Sequence, residues 1–262
     1  ALLRQPEPPD GWKKAAEMIP LLKAAMNMKS KVVGSGPVHD KVITGKDIDL
    51  STLPIQTCWP DEPSPLITWP LVVTKNDPAQ SPERFNVGVY RMQVIGPNQT
   101  LMRWLKHRGG AQHFQEWSKK ESAPLPVAVV IGADPATILA AVSPIPDTMS
   151  EYQFAGLLRG RRTELVKCHS IPLKVPATAE IVLEGHVSLE DYRDEGPFGD
   201  HTGYYSMADM YPVLHVTCIT HRIAPIYPTI IVGRPPMEDY WMGKVTERVF
   251  LPLIQMMLPE VV

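Results

Sequence analysis

Proline occupies 28 of the 262 positions in this chain, about twice the share of roughly 5% usual in globular proteins. Each proline removes a backbone donor and fixes φ, which confines it to turns, first turns of helices and strand ends. A chain punctuated this often predicts many short strands with firm stops. At this length it can bury one large core or two modest ones.

The remaining composition excludes several function classes. Twenty-six basic and 28 acidic side chains give a formal charge of -2, and the basic residues are spread out, so the footprint of a nucleic-acid binder is missing. Cys58, Cys168 and Cys218 are odd in number and lack C-x-x-C spacing, which argues against a disulfide framework or structural zinc and for a reducing cytosol. No run approaches the roughly 20 apolar residues that cross a bilayer, and no signal-peptide layout opens the chain. A soluble, cytoplasmic protein is expected.

Pro6 to Pro9 form a stiff lead-in; Asp10 can cap a short peripheral helix whose stripe is Trp12, Ala15, Ala16, Ile19, Leu22 and Met26, interrupted by Pro20. Strands are predicted over Leu66 to Thr74, Asn86 to Ile95, Leu101 to Leu105, Val127 to Ile131, Thr163 to Cys168, Ile181 to Val187, Val213 to Ile219 and Ile226 to Val232. Gly96-Pro97-Asn98 marks a hairpin between the second and third. Helices are predicted over Ala111 to Lys119, from the Asp134 cap and Pro135 to about Val142, from the Ser150/Gln153 capping box to Gly160, and over Asp239 to Met257. The last exposes an apolar face of Val245, Phe250, Leu253 and Ile254, which implies a missing continuation. The whole reads as a mixed α/β (α+β) fold, a mixed sheet or barrel with covering helices.

Three polar knots could carry chemistry. Glu195-Gly-Pro-Phe-Gly-Asp200-His-Thr-Gly places two acids five residues apart in a turn. Neighbouring carboxylates push one another's pKa apart, so that one can hold a proton near neutrality; a solvated turn is the plain alternative. Asn86-Val-Gly-Val-Tyr90-Arg91 is an apolar strand carrying a guanidinium that needs a partner, either a substrate carboxylate or Glu195, unless it is a core ion pair. Met102-Arg103-Trp104-Leu105-Lys106-His107-Arg108-Gly109-Gly110 is a basic strand end running into a double glycine, where amides could approach a phosphate. Arg159, Arg161 and Arg162 at a helix C-terminus read as structural, and Met256 and Met257 as packing.

With these knots in view, the chain resembles the UbiD decarboxylase family from Arg4 to Val262. The stretches that carry the resemblance are Thr57-Cys-Trp-Pro-Asp61, Leu66-Ile-Thr-Trp69, Asn86 to Arg91, Met102 to Gly110, Gly132 to Leu139, Ser150-Glu-Tyr152, Val166-Lys-Cys168 and Glu195 to Tyr205. Among its members the 4-hydroxy-3-polyprenylbenzoate decarboxylases of bacterial ubiquinone synthesis are most similar. The resemblance implies a central split β-barrel of the flavin-reductase-like, FMN-binding type over residues 31–236. Residues 1–30 would be a helical lead-in and 237–262 a helix leading to an absent C-terminal domain that carries the main oligomer interface of a homo-oligomer (hexamer).

The cofactors implied are prenylated FMN, delivered by a flavin prenyltransferase, with Mn2+ or a similar divalent metal and K+. By the family pattern Asn86 and Glu151 hold the divalent metal, both hard oxygen donors. Val89, Tyr90, Arg91, Arg103, Trp104, Leu105, Arg108 and Gly109 line the cofactor. Aligning on Trp117 places the histidine that some relatives use as a third ligand at Gly109, two residues beyond His107. Arg91 would orient the carboxylate of the aromatic acid, Glu195 would pair with Arg91, and Asp200 would protonate the carbon left behind. Such an enzyme would meet its polyprenylated substrate in the cytoplasm, at the surface of the inner membrane. A non-catalytic fragment and a simple FMN-binding or flavin-reductase module remain the alternatives, since fold does not fix function.

Overall fold

The computed structural model describes residues 12–76 and 84–261. Its elements run α1 (Trp12–Met28), β1 (Lys31–Val32), β2 (Lys41–Thr44), β3 (Leu66–Ile67), β4 (Pro70–Thr74), β5 (Asn86–Val89), β6 (Met92–Gly96), β7 (Gln99–Met102), α2 (Gly109–Lys120), β8 (Leu125–Ile131), α3 (Pro135–Val142), α4 (Glu151–Arg159), β9 (Glu164–Lys167), β10 (Lys174–Pro176), β11 (Ile181–Glu195), β12 (Asp209–His221) and α5 (Glu238–Met257). Pro6 to Asp10 lie outside the described residues.

The main sheet is ordered β3-β6-β7-β12-β11-β8-β4-β5, with β2 pairing on β12. Its two ends are tied together by the chain itself. Thr68-Trp69 links β3, the strand at one end, to β4, the last but one at the other, and Tyr90-Arg91 links the end strand β5 back to β6, beside β3. Links of two residues reach only about 7–10 Å, so the sheet must curl until its ends meet along a seam. No backbone ladder among the described residues crosses that seam. The expected split barrel therefore appears as a strongly curled, open sheet.

Burial on both faces explains the unalternating apolar run of β8. Val127, Val129 and Ile131 join one core with Met92, Met102, Leu183, Leu214 and the α2 residues Phe114 and Trp117. Ala128 and Val130 point the other way, into a core with Leu71, Val73, Val87, Tyr152 of α4 and Leu165 and Val175 of the small sheet β1-β9-β10. Side chains alternate across a strand, so a strand covered on both sides reads as a continuous hydrophobic run.

Several boundaries differ from the sequence expectations for identifiable reasons. The segment from Leu66 to Thr74 breaks at Thr68-Trp69, and that from Asn86 to Ile95 breaks at Tyr90-Arg91, because each must cross the seam. The strand expected to reach Leu105 stops at Met102, where the chain turns toward α2. Residues 226 to 232 form no strand at all. Their backbone is held by side chains instead of a ladder: Thr68 Oγ1 donates to the Ile230 carbonyl at 2.8 Å, Trp59 Nε1 donates to that of Val232 at 2.9 Å, and Ile226 N donates to Glu180 at 3.0 Å. Pro228 inside the segment could not have donated to a ladder.

Other signals hold. Asp134 accepts from the amides of Ala136 and Thr137 at the start of α3. The Ser150/Gln153 box opens α4, and Gly160 closes it in the left-handed conformation. Arg159 is structural, its Nη2 donating to Asp134 Oδ2 at 2.7 Å. Helix α1 continues through Pro20, with Ile19, Leu22 and Met26 exposed. On α5, Phe250 packs on Phe154 with ring centroids 6.0 Å apart, while Val245 and Ile254 are exposed. All three cysteines are free, and no helix among the described residues is long and apolar enough to cross a membrane.

Candidate active site

Arg91 lies on the seam, where the chain leaves β5 for β6. Its Nε donates to Glu195 Oε1 at 2.7 Å, and its Nη2 donates to Glu195 Oε2 at 3.0 Å and to Ser206 Oγ at 2.9 Å. Two parallel bonds from a planar fork fix the guanidinium in orientation as well as position. The Glu195 side chain is 1% exposed and that of Arg91 is 13% exposed. Phe198 lies under the guanidinium, 5.3 Å from its carbon to the ring centroid, and Arg103 Nε stands 3.9 Å from Glu195 Oε2.

Glu195 is the last residue of β11, paired across the hairpin with Asp209, the first of β12. Residues 196 to 208 therefore hang from the end of the longest hairpin in the sheet. Two side chains from elsewhere, Gln93 and Glu62, and one within the loop, Ser206, hold it. Gln93 Oε1 accepts from Gly196 N at 2.9 Å, Ser206 Oγ accepts from Phe198 N at 3.3 Å, and buried Glu62 accepts from Gly199 N at 3.2 Å. The other oxygen of Glu62 takes the amides of Cys58 and Trp59 at 2.7 and 3.2 Å. Trp59 lies so close that a Cβ on Gly199 would fall 2.1 Å from its Cδ1.

Within the loop, Asp200 N donates to the Tyr204 carbonyl at 3.1 Å and Gly203 N to the Asp200 carbonyl at 3.0 Å, making a tight turn. Asp200 Oδ1 accepts from the amide of His201 at 2.7 Å and lies 2.7 Å from His201 Nδ1. Burial pushes its carboxyl up, but the His201 amide and ring and the Arg91 charge outweigh that and hold it below its ordinary value. This corrects the expectation that the two acids drive each other's pKa apart. Arg91 neutralises Glu195, and the groups acting on Asp200 are His201 and Arg91.

Arg91 and Asp200 line one cavity of about 670 Å³ between the seam, α3 and α5. Val89, Tyr90, Arg103, Leu105 and Arg108 share its wall, and Glu238, Asp239 and Glu247 of α5 stand on it as well. Trp104 does not: its side chain is packed in the core between Tyr90 and Phe114, with centroids at 6.4 and 5.4 Å. Glu195 stays behind Arg91, outside the cavity lining.

Asn86, Gly109 and Glu151 form a second cluster around Tyr90. Glu151 Oε2 accepts from Val87 N at 2.9 Å. Burial raises the Glu151 carboxyl to about 7; the charge of Asp147 adds to this, and the amides of Glu151 and Val87 oppose it. The Tyr90 hydroxyl accepts from Gly110 N at 3.0 Å, and its pKa is raised by burial. Gly109 opens α2, where Arg108 provides no side-chain cap; with the Gly110 amide taken by Tyr90, the Gly109 amide is left to meet an anion.

The donor set of Asn86 and Glu151 fits a divalent cation. A desolvated carboxyl with no countercharge among the groups that act on it favours a bound cation, and an amide oxygen beside it is a second hard donor. Among the described residues no three His, Cys, Asp or Glu side chains gather, so the remaining ligands would be oxygens from cofactor or water. His107 is exposed. A Cβ at Gly109 would lie 2.1 Å from Asn86 Oδ1, so Gly109→Ala is expected to displace Asn86 and weaken Mn2+ binding by about tenfold or more, measurable by titration calorimetry on metal-free protein.

Sequence reasoning missed Glu62, Gln93, Ser206 and His113. His113 Nδ1 lies 3.0 Å from Thr74 Oγ1, which accepts from Asn86 Nδ2 at 3.3 Å, so it supports Asn86 from behind. Burial lowers its pKa. All four lie beside a singled-out stretch, but no local pattern marks any of them.

The family model described as the UbiD 3-octaprenyl-4-hydroxybenzoate carboxy-lyase Rift-related domain matches residues 30–235. An evolved dimeric form of the UbiD-class enzyme HmfF from Pelotomaculum thermopropionicum, in complex with prFMN, is similar at 32% identity and TM-score 0.80, over 92% of this chain and 56% of that one. Vanillic acid decarboxylase from Sedimentibacter hydroxybenzoicus in closed form is similar at 30% identity and TM-score 0.78, over 88% and 50%. The apo 3,4-dihydroxybenzoic acid decarboxylase of Klebsiella pneumoniae is similar at 27% identity and TM-score 0.73, over 87% and 49%. The chain thus spans about half the length of the structures it matches. With the family model covering most of its length, this chain belongs to the UbiD family.

Proposed function

We propose that the protein is a carboxy-lyase that removes carbon dioxide from an aromatic acid with prenylated FMN, Mn2+ and K+, its substrate being a 4-hydroxy-3-polyprenylbenzoate of ubiquinone synthesis. The observation that carries this reading is the Arg91 guanidinium, held by a buried carboxylate at the wall of a cavity that Asp200 also lines. Losing carbon dioxide from an sp² carbon leaves an electron pair with no stable home. When bound, the modified flavin supplies the electron sink for that pair.

The protein's own residues bind, orient and move a proton. Arg91, already half-neutralised by Glu195, keeps enough positive field to orient an aromatic carboxylate without gripping it as a free guanidinium would. That balance suits a group that must leave as neutral gas. Arg103 and Arg108 line the same wall and would face the cofactor phosphate with the start of α2. Asn86 and Glu151 would hold the metal. Asp200 donates the proton that replaces the lost carboxylate.

Co-production with a flavin prenyltransferase should yield a protein with a near-ultraviolet flavin absorbance that releases carbon dioxide from 4-hydroxybenzoates. A colourless or inert product would leave a non-catalytic fragment as the reading, and flavin binding without decarboxylation would leave a flavin module. Asp200→Asn is expected to lower turnover by at least about a hundredfold with the absorbance retained. Unchanged turnover would remove Asp200 from the donor role.

A further inference from the structure

Each decarboxylation consumes one proton, and the proposed donor is poorly placed to hold one. His201 and Arg91 keep the Asp200 carboxyl below its ordinary value, so at neutral pH the resting group is ionised. A device that recharges it every turnover is therefore required. The Asp200 side chain is 28% exposed and lines the cavity, whereas that of His201 is 57% exposed, 2.7 Å away through Nδ1. One partner lines the cavity and the other is mostly exposed to water.

We propose that His201 relays solvent protons to Asp200, making the pair a two-residue proton entry for the decarboxylation; this rests on the function proposed above. As the carbon–carboxylate bond breaks, carbon dioxide departs and its bonding electron pair stays with the substrate. The Nδ1 proton of the His201 imidazolium passes to the ionised Asp200 carboxylate, the carboxyl so formed delivers it to the substrate carbon, and the exposed ring takes up a proton from solvent. No oxidant or reductant enters, and the balance is one carboxylate and one proton in, one carbon dioxide and one carbon–hydrogen bond out. Imidazole is the side chain that exchanges protons near neutrality.

The charges around the pair favour this direction of flow. Arg91 lines the same cavity as Asp200 and its charge acts on the Asp200 carboxyl. Arg234 packs against Gly203, which closes the same tight turn. Glu62 holds Gly199 from beneath, and Glu238 and Asp239 of α5 stand on the same cavity wall. The His201 amide and Arg91 favour the ionised aspartate at rest. His201 acts through Asp200 and is a relay and positioning residue.

The test compares wild type, His201→Asn and Asp200→Asn, each co-produced with a flavin prenyltransferase. His201→Asn should lower kcat about tenfold or more with KM unchanged, slow deuterium incorporation from D2O at the product carbon, and recover both on addition of imidazole. Asp200→Asn should not be rescued. In cofactor-free protein, the carbon-13 carboxyl signal of Asp200 should titrate at higher pH in His201→Asn, because the neutral amide cannot replace the ring charge. An active wild type matched by an imidazole-insensitive His201→Asn overturns the relay. An unmoved Asp200 titration overturns it whatever the activity, while an inert wild type with a shifted titration counts against the decarboxylase reading alone.

Discussion

Glu195→Gln is expected to destabilise the protein by about 3–5 kcal/mol, the range for removing one partner of a buried ion pair. The glutamine is nearly isosteric, so the volume of the side chain is kept. What is lost is the negative charge that two guanidinium nitrogens of Arg91 meet at 2.7 and 3.0 Å in a site where the carboxylate is 1% exposed. Arg91 would then carry an uncompensated charge in the core, and Arg103, 3.9 Å from the same carboxylate, would add repulsion. For a domain of this size the melting temperature should fall by about 10 °C. Activity should fall with stability, because an unpinned Arg91 no longer presents a fixed fork to substrate. A double-mutant cycle with Arg91→Met separates the two contributions: if the pair is the unit of stability, the double variant is more stable than Glu195→Gln alone. Equal stability of wild type and Glu195→Gln, read by chemical denaturation, would show that the pair is not desolvated as the structure has it.

The local signals behind this site were legible in the chain, and the long-range ones were not. Caps, turns and the hairpin at Gly96-Pro97-Asn98 follow from a few neighbouring residues, and they stand where the spacing put them. Arg91, Glu195 and Asp200 were singled out because a guanidinium on an apolar strand and two acids in a glycine-rich turn are each chemically conspicuous. Their meeting depends on the seam, where Tyr90-Arg91 must bridge the two ends of a curled sheet. Periodicity within one strand carries no information about that closure, and so the breaks at Thr68-Trp69 and Tyr90-Arg91 were read through as continuous strand. Glu62 was passed over for a related reason. Its three amide partners, Cys58, Trp59 and Gly199, include one 137 positions away, and nothing near Glu62 in sequence marks it as buried. Residues 226 to 232 mislead in the opposite sense: β-branched composition predicts a strand, but the backbone partners turned out to be side chains of Thr68, Trp59 and Gln56.

The proposed metal pair Asn86 and Glu151 should make itself felt through pH. In metal-free protein burial raises the Glu151 carboxyl from 4.5 to about 7, so between those values the folded state keeps a proton that the unfolded chain has released. Raising pH through that window therefore favours unfolding. The contribution of Glu151 is fully present below about pH 4.5, declines as pH rises, and is gone above about pH 7, a swing of about 3 kcal/mol at 1.36 kcal/mol per unit of pKa. Glu151→Gln, uncharged throughout, should flatten that part of the slope and leave the metal-free variant the more stable protein at pH 8. Saturating Mn2+ should reverse the sign for wild type alone, since a cation binds only the deprotonated carboxylate and its affinity climbs as the proton leaves. Denaturation midpoints for both proteins from pH 4.5 to 8, with and without Mn2+, give four curves to compare. Parallel metal-free curves would show that Glu151 is not the titrating group. An equal response of Glu151→Gln to Mn2+ would remove the residue from the metal site, leaving the Asn86 amide oxygen without its charged partner.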